Sequence, residues 1–241
     1  MVGLDGRLDR MLAGRARHAV RHYCREKDRS PAILGQNVRD ERLTHRLEAF
    51  SDIVIGFSLA EMSVNLAIPR HASEVYTHTV ALVAFAWTFA VIAAFWWSHH
   101  RLFAEYFVPT RATMMLNFAA LGVLVWLVYE LQVFVRFADT AEHAAAAIPY
   151  VLTYALMYLL LDALFALCVR MRWGELDIEQ RRRGVNAIGR ILAVGVGPLA
   201  GLPVCYALGL YPEWSLFGIV VAQLIWRLVF RLLGLRFTVA Q

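Results

Sequence analysis

Asp52, Trp96, His99, His100 and Asn117 supply a carboxylate, an indole, two imidazoles and an amide, groups able to share protons within an otherwise strongly apolar chain of 241 residues. Each stands near the end of an apolar run. If those ends lie at one depth, Asp52 can meet Trp96, Asn117 and His99 or His100, and a half-buried carboxylate is then satisfied rather than stranded. Such a network either staples helices together or alters with protonation, since histidine titrates near neutral pH. Glu61, Asp162 and Arg227 lie inside apolar runs. Glu61 is a candidate for attracting cations or relaying protons, or else for pairing with another helix. Asp162 lies about fourteen residues into its run and Arg227 about thirteen into another that enters from the same side, so the two are expected to form an intramembrane ion pair. Glu130 reads as a boundary residue, near enough to Arg136 to pair with it. Other chemistry is not indicated. No carboxylate stands at metal-ligand spacing from the histidines, and no nucleophile stands beside them. HExxH and GxSxG are absent. Cys24, Cys168 and Cys205 are odd in number and form no CxxC, which suggests free thiols. The expectation is therefore no catalytic site, no cofactor and no metal.

The elements that must position these residues follow from composition. Apolar residues make up 59% of the chain and charged residues only 18%, and several stretches of twenty or so residues carry one ionisable side chain or none. Residues 1–45 form a basic segment without the continuous apolar core of a secretory signal. Within it, Leu8 to Tyr23 suits either a surface helix near anionic lipid or a solvated segment. Ser30 to Gln36, with Pro31 and Gly35, reads as a linker. Six spans follow, at about 47–68, 77–106, 112–137, 148–169, 185–208 and 214–233, inside a helical domain of residues 46–236 that ends in a tail at 237–241. Pro69 suits the exit of the first span. The net charge of +5 is read as topology and not as a nucleic-acid surface. Arginine concentrates at the N-terminus, between the second and third spans, in the 170–183 loop with its Arg181, Arg182 and Arg183 run, and near the C-terminus, so the positive-inside rule puts both termini in the cytoplasm. The fold class is an all-α integral membrane protein with six transmembrane helices. Gly195, Gly197 and Gly201 in the fifth span offer a small-residue packing face, and Pro198 a kink.

The entrance of the first span reads Arg46-Leu-Glu-Ala-Phe50-Ser51-Asp52. The second span ends Trp96-Trp97-Ser98-His99-His100-Arg101, and Asn117 follows a leucine early in the third. In that order these resemble the RxxxFSD pattern, the W-x-x-H-H segment and the Leu-Asn pair of the transmembrane protein 175 family of potassium-permeable channels. The resemblance covers residues 46 to about 120, and the rest only by helix count. It implies a cation channel in the cell membrane, potassium-like or proton-permeable, built as a homo-oligomer, a tetramer like the single-copy bacterial relatives, with the first helix of each subunit around the pore.

Counting 100° per residue from Phe57, one stripe of the first span holds Phe50, Ile53, Phe57, Glu61, Val64 and Ile68 within about 40° of its centre, while Asp52 lies about 140° away. The resemblance makes Ile53, Phe57, Ala60, Glu61 and Val64 pore-lining and assigns Arg46, Phe50, Ser51, Asp52, Trp96, His99, His100 and Asn117 to the structural or gating network. Three positions depart from the family pattern. Phe57 replaces the isoleucine of the constriction, Ala60 a threonine, and Glu61 a leucine. Phenylalanine is bulkier, and a ring of such side chains closes a path by dewetting. The partners expected are monovalent cations, other copies of the chain and the bilayer. A proton-linked transporter and a non-conducting relative are the alternative readings.

Overall fold

A computed structural model describes residues 31–64, His71 and residues 79–239. Among them are six long α-helices: α1 (Pro31–Val64), α2 (Thr79–Glu105), α3 (Arg111–Phe137), α4 (His143–Arg172), α5 (Ile178–Leu208) and α6 (Gly218–Val239), the last preceded by a 3-10 turn at Pro212–Phe217. No strand occurs among the described residues. Five segments, beginning at Ala81, Arg111, His143, Ile178 and Pro212, are long and apolar enough to cross a membrane. The chain is thus an all-α, multi-pass membrane protein. Residue contacts divide it into two units, Met1–His45 and Arg46–Gln241. The Leu8 to Tyr23 segment, Cys24, Ile68 and Pro69 lie outside the described residues.

Several element boundaries differ from the sequence expectation: α4 starts at His143 where 148 was expected, and α6 runs from Gly218 to Val239 where 214–233 was expected. The proposed linker from Ser30 to Gln36 is helical from Pro31 onward. Proline is at home in a first helical turn, where its missing N–H would be unpaired anyway, and a single glycine is tolerated inside a helix. The arginine run 181–183 belongs to α5 and not to the loop before it. Asp177 caps that helix: its carboxylate accepts from Gln180 N at 2.7 Å, and the Gln180 side chain accepts from Asp177 N at 2.9 Å. This reciprocal box fixes the helix start ahead of the arginines. Thr110 and Thr113 form the equivalent box on α3.

The core of the second unit lies along α4. Tyr150, Tyr154, Met157, Leu161, Leu164, Phe165 and Cys168 are all at most 2% exposed. Buried tyrosine hydroxyls need partners, and two find them on α2. The Tyr150 and Thr88 hydroxyls are 2.7 Å apart, and Tyr158 donates to the Val91 carbonyl at 2.9 Å. At the basic end, Arg172 Nη1 donates to the Glu105 carbonyl at 2.7 Å and Tyr106 donates to the Gln180 carbonyl at 3.1 Å, joining the ends of α2 and α4 to the start of α5. Of the described cysteines, Cys168 and Cys205 are free thiols and buried.

The glycines of α5 let helices approach closely. A Cβ on Gly197 would stand 2.7 Å from the Gly218 carbonyl carbon, and one on Gly201 would stand 2.8 Å from the Ser215 carbonyl oxygen. Gly195 faces α4 instead, 3.1 Å from Leu159 by the same construction. The helix runs unbroken through Pro198 and Pro203.

Candidate functional site: a polar junction and the free face of the first helix

Glu48 and Asp52 are one turn apart on α1, and Trp96 and His100 one turn apart on α2. The helices carry them against each other in antiparallel order. Trp96 Nε1 donates to Asp52 Oδ1 at 2.9 Å, and His100 Nδ1 donates to Glu48 Oε1 at 3.2 Å. The indole of Trp96 also stacks on the His100 ring, with centroids 5.7 Å apart. This rung of the junction is partly solvated, since Asp52 and Trp96 are exposed and Glu48 and His100 half-buried.

A second rung is closed to solvent. Ser51, His99 and Asn117 are each 0% exposed. His99 Nε2 and Asn117 Oδ1 are 2.7 Å apart, Asn117 Nδ2 donates to Ser51 Oγ at 3.1 Å, and Ser51 Oγ donates to the Leu47 carbonyl at 2.8 Å. The directions are mutually fixed. Because the serine proton is committed to Leu47, its oxygen accepts from the amide, the amide oxygen faces His99, and Nε2 carries the imidazole proton. His99 Nδ1 has no partner, and the ring lies stacked between Phe95 and Phe103, with centroids at 5.9 Å and 4.6 Å. The chain of donors thus runs from α2 through α3 to the backbone of α1.

Of the residues assigned to this network, Ser51, Asp52, Trp96, His99, His100 and Asn117 meet through hydrogen bonds. Phe50 joins by an edge-to-face contact with Phe118, centroids 5.7 Å apart. Arg46 is exposed. Glu48 was missed by sequence reasoning, although its spacing held the signal: 48 and 52 on one helix face 100 and 96 on the other, the order that antiparallel helices require.

The remaining sides of α1 differ sharply. Ser51, Ile55, Ser58 and Met62 are buried at helical spacing, while Phe50, Ile53, Phe57 and Val64 are 46%, 56%, 73% and 78% exposed. Ala60 and Glu61 share the exposed side.

The expected pair of Asp162 and Arg227 does not form. Asp162 is buried on the side of α4 that carries Tyr158 and Phe165, with Oδ1 lacking a hydrogen-bond partner, whereas Arg227 is exposed on α6. The neighbouring Trp226 turns inward and donates to Asn186 at 3.2 Å, which sets Arg227 about 100° away around the helix. Equal depth did not imply equal direction. Glu130 is buried on α3, Arg136 is exposed, and no ion pair joins them. A third polar contact unforeseen in the sequence lies at the opposite end of the bundle, where His143 Nε2 sits 2.9 Å from Glu213 Oε1 and ties α4 to the turn before α6.

The class defined by this architecture is a six-helix membrane protein whose first helix is stapled to the second and third by buried polar contacts. Residues 46–127 match the family model described as the endosomal/lysosomal potassium channel TMEM175, so the resemblance carried by the motif holds across the three helices that build the junction. Two solved structures share the fold. One is the lysosomal potassium-selective channel TMEM175 homolog from Chamaesiphon minutus, 18% identical with a TM-score of 0.55, covering 75% of this chain and 98% of that one. Another is a variant of the potassium channel MtTMEM175 in complex with a nanobody–MBP fusion, 19% identical with a TM-score of 0.56, covering 81% of this chain and 94% of that one. No curated protein sequence matches the chain.

Proposed function

We propose that this protein is a cation channel of the cell membrane, assembled from several copies, with α1 of each copy facing a shared conduction path. One observation carries the reading: α1 buries Ser51, Ile55, Ser58 and Met62 while leaving Phe57 73% and Val64 78% exposed, and Glu61 lies on the exposed side. Hydrocarbon tolerates the apolar members of that side but not a carboxylate, whereas a water-filled axis accommodates both. The names of the matched family and of the two structures support potassium or another monovalent cation as the permeant ion. A tetramer places four Phe57 rings at the constriction and four Glu61 carboxylates one turn beyond. The polar junction holds α1 at a fixed rotation, so that this stripe and no other meets the axis. By the positive-inside rule, the arginine-rich ends and both termini lie in the cytoplasm.

Planar-bilayer currents test this reading. Native protein is expected to pass monovalent cations, and Glu61→Gln to change conductance or ion preference. Absence of current across the accessible voltage and pH range removes the channel reading, and unchanged permeation in the variant removes Glu61 from the path. A proton-linked transporter is the second reading, favoured by the buried Asp162 with its unpartnered Oδ1. Uptake coupled to a proton gradient in proteoliposomes separates it from passive conduction.

A further inference from the structure

At the basic end of the bundle, α2, α4, α5 and α6 line a half-open cavity of about 160 Å³ with two kinds of wall. Arg101, Ser98, Arg190 and Gln223 supply polar groups, and Tyr158 and Phe165 supply an aromatic floor. Among the described residues, Glu105 is the one carboxylate paired with either guanidinium group. Among the described residues Arg190 makes no ion pair, although its carbonyl accepts from Gln223 Nε2 at 2.7 Å. Arg101 Nε lies 3.9 Å from Glu105 Oε1, a loose contact one turn along its own helix. Asp162, the buried carboxylate nearest in sequence to the aromatic floor, pairs with neither arginine. Arg190 is exposed and Arg101 half-buried, so water screens them in part, yet two guanidinium groups lining one cavity repel each other unless an anion lies between them. From Leu208, at the far end of α5, Arg190 is eighteen residues away, about 27 Å along the helix. That distance puts the cavity at the edge of a hydrocarbon core of about 30 Å, where phosphates of a leaflet lie.

We propose that this cavity binds the phosphate of an anionic phospholipid, with Arg101 and Arg190 clamping the headgroup oxygens, Ser98 and Gln223 adding neutral contacts, and the acyl chains lying against the apolar bundle outside. Arginine suits the task because its planar fork meets two phosphate oxygens at once. More arginines surround the site at the same end. Arg182 stands over the Phe230 ring and Arg181 over Trp173, at 5.8 Å and 5.3 Å from the ring centroids, and Arg227 and Arg231 are exposed on α6. They raise the local concentration of anionic lipid. The proposal stands independently of whether the chain conducts ions.

Native mass spectrometry of the detergent-purified full chain, incubated separately with phosphatidylglycerol, phosphatidylcholine and inorganic phosphate, provides the test. Phosphatidylglycerol is expected to be retained about tenfold more than phosphatidylcholine, with the Arg101→Gln, Arg190→Gln double variant losing that preference. Equal retention of the two lipids, or a preference unchanged in the double variant, overturns the proposal. Displacement of the lipid by inorganic phosphate at comparable concentration overturns the lipid assignment in favour of free phosphate. Trp97, which lines the same cavity, gives a second measurement that needs no arginine variant. In vesicles, tail-brominated phosphatidylglycerol is expected to quench indole fluorescence more than brominated phosphatidylcholine, and Trp97→Phe to abolish the difference. Equal quenching by the two lipids sinks the idea.

Discussion

The α1–α2–α3 junction and the glycine contact between α5 and α6 hold helices together by different means. At the junction, side chains reach between helices and are joined by directed hydrogen bonds: Trp96 to Asp52, His100 to Glu48, and His99 through Asn117 to Ser51. At the crossing Gly197 lies against Gly218 backbone to backbone, with almost no side chain between them, and the bonds from Gln223 to the Arg190 carbonyl and from Trp226 to Asn186 lie further along. Inside a membrane there is no large hydrophobic gain from bringing apolar helices together, so either close packing or polar contact must supply the attraction. The junction is therefore expected to tolerate changes of volume better than changes of polarity, and the crossing to behave in the reverse way. The contrast also assigns duties. Backbone proximity at the glycines fixes distance, while a network of paired donors fixes rotation, and on the proposed reading rotation decides which stripe of α1 meets the conduction path.

The largest effect is expected at the crossing. Gly197→Leu drives a side chain into the Gly218 backbone, where no rotamer avoids the clash, and should lower stability by about 3 kcal/mol or more. In thermal unfolding this appears as a fall in Tm of roughly 10 °C. Gly122→Ala is the matched control, because a Cβ there has nothing within 4 Å. It should leave Tm unchanged or raise it slightly, by up to about 1 kcal/mol in helix propensity. Equal losses for the two variants would mean that the crossing does not depend on backbone proximity.

Asn117→Ala should come next, with a loss of about 1–2 kcal/mol. It leaves the His99 Nε2 proton and the Ser51 oxygen buried without partners. Asn117→Leu, which nearly restores the volume, is expected to be no better, and that similarity separates a polar role from a packing one. If leucine recovers native stability, the junction is held by packing and the contrast between the two regions fails.

Much of this arrangement was legible in the sequence, and its gaps have physical causes. Long apolar runs located the five later helices, because length and hydropathy report what a bilayer requires, but not their ends: the fifth starts at Ile178, seven residues before the expected 185. The two sides of α1 were legible as well, since a stripe of Phe50, Ile53, Phe57, Glu61 and Val64 at helical spacing is opposed by Ser51, Ile55, Ser58 and Met62. The start of α1 at Pro31 was hidden because proline and glycine punctuate loops far more often than they open helices. Asp162 and Arg227 misled for a different reason. Hydropathy reports depth, but a pair also needs the two helices turned toward each other, and that rotation is set by neighbours such as Trp226 and Asn186 that no single-helix count includes. Glu48 lay between these cases, visible only once the antiparallel order of α1 and α2 was applied to its partner His100.

The smallest expected effect tests the solvated rung of the junction. Trp96→Phe keeps the aromatic stack on His100 and removes only the Nε1 donor to Asp52. Asp52 is exposed, so water replaces much of the lost bond, and stability should fall by only about 0.5 kcal/mol. A rotational role predicts more than that number. With the tether gone, α1 is still held by the Glu48–His100 contact and the buried rung through Asn117, which allows a small turn about its axis, so conductance should change in bilayer recordings even where Tm barely moves. Trp96→Phe combined with Asp52→Asn should then resemble Trp96→Phe alone, because the second change acts on a contact already lost. If the double variant instead shows the sum of two independent effects on conductance, Trp96 and Asp52 are not acting on one another, and the orientation of α1 rests on its buried face by itself.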